Sequence, residues 1–233
     1  MRSIRSFAKA RSRLSANHKK ILNQENDFLF SAITKSAFEE TLRSTKNKIL
    51  EIGFGEGDSL FEMAVNNPDL NFFGIEVYET GVARTCSKIE ESGIKNLKIY
   101  LGDVVDLMLD KDIETTFDLL LFLFPDPWHK RKHNKRRLLS SDNLNKFRSY
   151  LSKEGFIFFR TDWKEYADSV KKICNDQKVE FQDLEKLSLL NQLTLTKYQR
   201  KGIEAGRSLH HFSLSNFFKR IFVALALWLF LFL

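Results

Sequence analysis

The stretch that most restricts this chain is Leu121-Phe122-Leu123-Phe124-Pro125-Asp126-Pro127-Trp128-His129-Lys130-Arg131-Lys132-His133-Asn134-Lys135-Arg136-Arg137. Its apolar start reads as a strand buried on both faces, because a run of large apolar residues leaves no face for water. Two prolines bracket an acid and stop the strand, since proline cannot donate to a sheet ladder. A nearly unbroken cationic loop follows. A buried strand that delivers one carboxylate and one indole beside a patch for polyanions has the layout of an active site facing a nucleic acid.

The rest of the chain alternates short apolar runs with amphipathic stretches. Strands are expected at residues 49–52, 71–77, 97–101, 117–124 and 156–160, with shorter ones at 179–181 and 193–195. Helices are expected between them, and residues 21–42 show loose helical periodicity. Alternation of this kind builds a parallel, doubly wound α/β sheet. With 233 residues, 43% of them hydrophobic, the chain suits one domain with appended segments.

A net charge of +7 and a pI near 9.3 favour polyanionic partners, either nucleic acid or an anionic membrane surface. Cys86 and Cys174 have no metal-type spacing, so no metal is expected, and free thiols in a reducing cytosol are the plain reading. The first 20 residues are rich in Arg, Lys and Ser and contain no acid. They lack the apolar segment of a secretory signal; an organelle transit peptide and a basic arm lying on RNA both fit. Residues 221–233 are almost wholly apolar but shorter than the roughly 17–25 residues a spanning helix needs. Docking on the domain, an interfacial position in a membrane, self-association and a foreign end from a frame change are the open readings, with the weight against membrane contact.

In an open α/β sheet, ligands sit outside the carboxyl ends of the strands near the switch point. Glu51, Glu76, Asp103 and Asp126 fall at four successive strand ends. Gly53, Gly55 and Gly57 permit a tight turn and close backbone approach to a ligand. Their spacing is Gly-x-Gly-x-Gly, whereas a dinucleotide site wants the third glycine one place later. Glu51, Glu56 and Asp58 surround the loop and suit a cationic, phosphate-free cofactor: S-adenosylmethionine carries an ammonium and a sulfonium. Glu76 lies 19 residues past Gly57, where an acid commonly binds ribose hydroxyls. Asp103 would reach the adenine or its surroundings. Asp126 can accept from guanine N–H groups or face the sulfonium-bearing ligand, and Trp128 either stacks on a base or walls the site. Lys130, Arg131, Lys132, His133, Asn134, Lys135, Arg136 and Arg137 form the footprint expected for an RNA backbone. Arm residues Arg2, Arg5, Lys9, Arg11 and Arg13 add to that footprint in the RNA-arm reading.

Leu50-Glu51-Ile52-Gly53-Phe54-Gly55-Glu56-Gly57, Gly74-Ile75-Glu76-Val77, Gly102-Asp103, Phe124-Pro125-Asp126-Pro127-Trp128-His129-Lys130, Thr161-Asp162-Trp163 and Thr196-Lys197-Tyr198 together resemble the bacterial tRNA (guanine-N7)-methyltransferases. The resemblance runs in order over about residues 4–206. The Pro-Asp-Pro-Trp-His-Lys segment is specific to that family, and the glycine loop is shared by most methyltransferases. It implies a Rossmann-like class I S-adenosylmethionine-dependent methyltransferase with a mostly parallel seven-stranded sheet and helices on both faces. It implies methylation of a guanine N7 in the tRNA variable loop. Glu51, Glu76, Asp103 and Asp126 would contact the cofactor, Asp126 would be catalytic, and Lys130, Asp162, Thr196, Lys197, Tyr198 and Gln199 would bind the substrate. The expected organisation is a basic arm with leading helices over 1–42, a catalytic domain over 43–206 and a hydrophobic tail over 207–233, in a cytoplasmic monomer or homodimer. Gln199 stands where the family carries glutamate, and the family's ending is not recognisable after Gly206. The rival readings are a methyltransferase for another RNA base and an RNA-binding protein on an inactive methyltransferase fold.

Overall fold

The computed structural model describes residues 14–109, 113–182, 193 and 196–215. Among these, eight strands form one sheet: β1 (Leu29–Ser31), β2 (Lys48–Ile52), β3 (Asn71–Glu76), β4 (Leu97–Leu101), β5 (Phe117–Leu123), β6 (Leu151–Thr161), β7 (Glu180–Gln182) and β8 (His210–Ser215). Their order is β1-β4-β3-β2-β5-β6-β8-β7. The first six run parallel, and β8 pairs antiparallel with both β6 and β7. The chain steps outward from β2 through β3 to β4, then returns to lay β5 on the other side of β2. The β2–β5 junction is therefore the switch point.

The described helices are α1 (Ala16–Asn23), α2 (Lys35–Ser44), α3 (Asp58–Asn66), α4 (Glu79–Ser92), α5 (Ser141–Ser149), α6 (Lys164–Asp176) and α7 (Lys197–Glu204). They cover both faces. Phe38 and Leu42 of α2, Leu144 and Phe147 of α5 and Tyr166 and Val170 of α6 share one apolar cluster with one side of the sheet. Ile21 of α1, Leu60 and Met63 of α3 and Val82 and Cys86 of α4 share a second cluster with the other side. This is why β2 and β5 read as nearly continuous apolar runs: every residue of β2 is buried, and all of β5 except Asp118.

The strand count departs from the expected seven. β1 is only three residues long and lies inside the stretch read as helical; it is held by pairing with β4. β8 occupies residues assigned to the tail. Its Phe212 and Leu214 enter the core between β6 and β7, so the sheet continues past the boundary expected at Gly206. Likewise α1, β1 and α2 pack into the same sheet and clusters as the region expected to begin at residue 43. Most of the strand expected at 193–195, the arm residues Arg2 to Arg13 and the apolar stretch 221–233 lie outside the described residues. Among the described residues no helix is long and apolar enough to cross a membrane.

Candidate active site

The glycine loop leaves β2 at the switch point. Gly53, Gly55 and Gly57 have φ of 77°, 62° and 76°, a left-handed backbone that side chains disfavour. The loop is also crowded. A Cβ on Gly81 of α4 would lie 1.8 Å from the Gly55 carbonyl, and one on Gly57 would lie 2.0 Å from Thr85 Oγ1. The first turns of α4 therefore seat the loop. In the sequence Gly81 is marked only as a glycine in the first turn of an otherwise good helix.

Glu76 fixes the loop from the neighbouring strand. Its Oε2 accepts from the Gly55 N–H (2.8 Å), and its Oε1 accepts from the Val77 and Tyr78 N–H groups (2.6 and 2.9 Å). Burial raises its pKa, these three bonds oppose the rise, and the negative charge of Asp126 adds to it. Glu51 is fully enclosed, and burial with the adjacent Glu76 charge pushes its pKa up to about 8. Its Oε2 is buried with no hydrogen-bond partner among the described residues. Glu51, Glu76 and Asp126 thus form one electrostatically linked acidic chain across the ends of β2, β3 and β5. Asp103, at the end of β4, accepts from the Val105 N–H (3.0 Å) and opens a short π-helical turn, Val105–Leu109.

An orphaned buried carboxylate oxygen beside a left-handed glycine loop fits a cationic ligand with a narrow approach. The residues present fit S-adenosylmethionine: Glu51 suits the ammonium, and Glu76 retains acceptor capacity for hydroxyls.

The second loop leaves β5. Phe124 and Trp128 have φ of 53° and 45° and frame Pro125-Asp126-Pro127. Non-glycine residues in this region cost about 1–3 kcal/mol each and persist only where surroundings hold them. Phe124 donates its N–H to the Arg160 carbonyl (2.8 Å). Asp126 is solvent-exposed at the loop's apex. The Trp128 ring meets His133 edge-on at 5.7 Å and carries the Arg136 guanidinium at 4.7 Å. The His129 ring lies 4.0 Å from Trp163 at the end of β6.

The cationic run forms a 3-10 helix, Arg131–Arg136. Lys130, Arg131, Lys132 and Lys135 are exposed; His133, Asn134 and Arg136 are half-buried. Desolvation, and then the neighbouring cations Arg136, Lys132, Lys130 and Lys135, hold the His133 pKa below its ordinary value. Arg137 corrects the expected footprint. Its side chain is 4% exposed and points away from solvent, donating to the Pro127 carbonyl (2.8 Å), Ser169 Oγ (3.2 Å) and Glu165 (3.2 Å). It is therefore not among the cations presented to a partner.

The third component is α7. Thr196 caps it, its Oγ1 accepting from the Gln199 N–H (3.1 Å). Gly202 presses on Asp162: a Cβ there would lie 2.8 Å from Asp162 Oδ2, which also accepts from Arg207 Nε (2.7 Å). Trp163 holds the N-cap position of α6, with its N–H donated to Thr161 Oγ1. Gln199 is buried, and its Oε1 has no partner among the described residues. The side chains of Lys197 and Tyr198 lie outside what is described. A cleft of about 720 Å3 separates α7 from the glycine-loop side, with Arg200 and Lys201 across from the Glu56–Arg84 and Asp58–Lys88 ion pairs. So the structure joins Glu51, Glu76 and Asp126 in one chain, sets Asp162 and Gln199 on the flank formed by β6 and α7, and removes Arg137.

Comparison with known proteins bears on the family and the fold. A family model described as "Putative methyltransferase" matches residues 45–212. The tRNA (guanine-N(7)-)-methyltransferase of Legionella pneumophila (strain Paris) is 32% identical over 212 residues, covering 88% of this chain and 90% of the relative. That of Francisella tularensis subsp. novicida is 36% identical over 182 residues, covering 76% and 80%. That of Pseudoalteromonas translucida is 36% identical over 175 residues, covering 74% and 73%. Among solved structures, a 30S ribosomal A1408 methyltransferase from an uncultured bacterium aligns with a TM-score of 0.54 at 20% identity, over 83% of this chain and 96% of that one. An antibiotic related methyltransferase gives 0.51 at 18%, over 77% and 92%. These two likenesses speak to the fold.

Proposed function

The chain belongs to the tRNA (guanine-N7)-methyltransferase family, and from that premise we propose that it methylates guanine N7 in the variable loop of tRNA, in the cytoplasm, with S-adenosylmethionine as donor. The observation that carries the site assignment is the meeting of two loops at the switch point. The left-handed glycine loop after β2 and the Pro-Asp-Pro-Trp loop after β5 leave adjacent parallel strands at the same edge of the sheet, with Glu76 within electrostatic reach of both Glu51 and Asp126.

The chemistry asks little of the protein beyond placement. The cofactor supplies a methyl group on a sulfonium, which is already an activated leaving arrangement. Guanine N7 has a free lone pair, so no strong base is needed to make the nucleophile. Holding the two partners in line can supply on the order of 7–11 kcal/mol of the barrier. Glu51 would bind the ammonium, Glu76 the ribose hydroxyls, and Asp103 the adenine or its surroundings. Asp126 is the catalytic carboxylate: it accepts from guanine N–H groups and tolerates the positive charge that methylation puts on the base. Asp162, Thr196 and Gln199 line the guanine side together with the Lys197–Tyr198 segment. Lys130, Arg131, Lys132 and Lys135 bind the RNA backbone, with His133, Asn134 and Arg136 behind them.

The test is transfer of radiolabelled methyl to unmodified bulk tRNA, followed by nucleoside analysis. Labelled 7-methylguanosine is the expected product. A different methylated nucleoside would move the site to another base. Binding of tRNA without transfer would make the chain an RNA-binding protein and point to Gln199 as the lesion.

A further inference from the structure

We propose that Arg137 is a positioning residue for methyl transfer, one that clamps the Asp126 loop from behind and makes no contact with RNA. The inference rests on the reading of Asp126 given above. In sequence Arg137 is the last member of a cationic run; in space it is turned inward. All three guanidinium nitrogens are engaged: Nε with the Pro127 carbonyl, one terminal nitrogen with Ser169 and the other with Glu165. The guanidinium also lies 4.8 Å from the centre of the Tyr166 ring.

The grip falls on a stretch whose two prolines leave it few backbone donors. Pro125 and Pro127 have no N–H, so carbonyls are what their backbone offers for anchoring. The Pro127 carbonyl sets the plane of the peptide that joins Asp126-Pro127 to Trp128. Trp128 in turn holds a left-handed backbone, a conformation that surroundings must enforce. The far end of the clamp is α6, which starts directly after Thr161-Asp162-Trp163. One guanidinium thus ties the loop after β5, which carries Asp126, to the helix that follows the loop after β6, which carries Asp162. Tyr166 adds a second tie, its hydroxyl accepting from the Leu139 N–H (3.0 Å). Lysine cannot reproduce a planar, three-direction contact.

The experiment measures kcat, KM for tRNA and the salt dependence of tRNA binding for Arg137→Met and Arg137→Lys, with Lys132→Ala as the comparison. Expected for both Arg137 variants is a kcat loss of roughly 100-fold, the scale of a misplacement of about 1 Å. KM for tRNA should stay within about threefold and the salt slope should match the parent. Lys132→Ala should instead reduce the slope by about one and raise KM for tRNA. Arg137→Met with parental kcat, or with a reduced slope, would overturn the proposal. If Arg137→Met does not fold, the Ser169→Ala/Glu165→Ala double variant leaves the arginine but removes its far anchors; a smaller kcat loss at constant KM is expected, and an unchanged kcat counts against the clamp. Should the parent make no 7-methylguanosine, the functional reading fails. Hydrogen exchange at residues 126–130 still tests the clamp: faster exchange in Arg137→Met upholds it, and parental exchange sinks it.

Discussion

At the scale of single residues, Glu51 is the group on which the proposed cofactor site most depends. Its folded pKa of about 8 exceeds the ordinary glutamate value, because burial and the Glu76 charge both penalise the anion. Ionisation of Glu51 is what an ammonium ligand selects. S-adenosylmethionine affinity should therefore rise with pH up to about 8, and binding at neutral pH should release a proton. Calorimetry in buffers of different ionisation enthalpy reads that proton directly. The sign for stability is the opposite. The folded chain holds the Glu51 proton to higher pH than the unfolded chain does, so stability declines between about pH 4.5 and 8 and the full cost is present above 8. Glu51→Gln should flatten that decline in thermal unfolding and weaken cofactor binding at least tenfold. The acidic positions were legible because an acid at a strand end is a local pattern. Arg137 was not: cations next to one another look alike in sequence, and only packing against α6 separates the buried one. The apolar pair Leu138-Leu139 directly after it was the available hint, since a chain turning inward carries its neighbour with it.

At the scale of elements, two contacts without side-chain atoms on one partner set the geometry. The Gly81 position admits no Cβ beside the Gly55 carbonyl, so Gly81→Ala should push the glycine loop off α4. The expected result is loss of cofactor binding by tenfold or more in equilibrium titration, with the tRNA salt slope unchanged. Gly202→Ala should act on the other flank, where its Cβ would meet Asp162 Oδ2. Lifting α7 should raise KM for tRNA roughly tenfold in steady-state kinetics while cofactor affinity holds; equal damage to both would mean α7 also shapes the cofactor side. Among elements, the central parallel strands were readable because burial on both faces forces apolar runs. β1 was hidden by brevity: three residues within a helical periodicity carry no period of their own. β8 does alternate, as His211-Phe212-Ser213-Leu214-Ser215, but it lies beyond the last recognisable motif and close to a much stronger apolar run.

At the scale of the whole molecule, the distribution of charge matters more than its +7 total. In the proposed site the acids at the strand ends line the cofactor crevice, and the exposed cations Lys130, Arg131, Lys132 and Lys135 stand on the loop that begins at the same strand end. On that proposal a polyanion drawn to the loop is delivered to the crevice rim, while the acids keep phosphates out of the cofactor pocket. The sequence carried this division because both sets are contiguous with their strands. Binding to those cations releases counterions from RNA, so log affinity should fall linearly with log salt, by about 0.7–0.9 in slope for each phosphate neutralised. Lys130→Ala/Arg131→Ala/Lys132→Ala should lower the slope by about two to three and weaken tRNA binding most at low salt. Cofactor affinity should not change, because these three side chains lie outside the acidic chain. At saturating tRNA, kcat should also persist, because the clamp on Asp126 comes from the buried Arg137 and not from the exposed run. Titrations of the triple variant across salt concentrations check the electrostatic half, and single-turnover rates at saturation check the other. A parental slope would mean that RNA docks through a different surface, and a collapsed single-turnover rate would mean that the exposed cations align the base as well as capture its backbone.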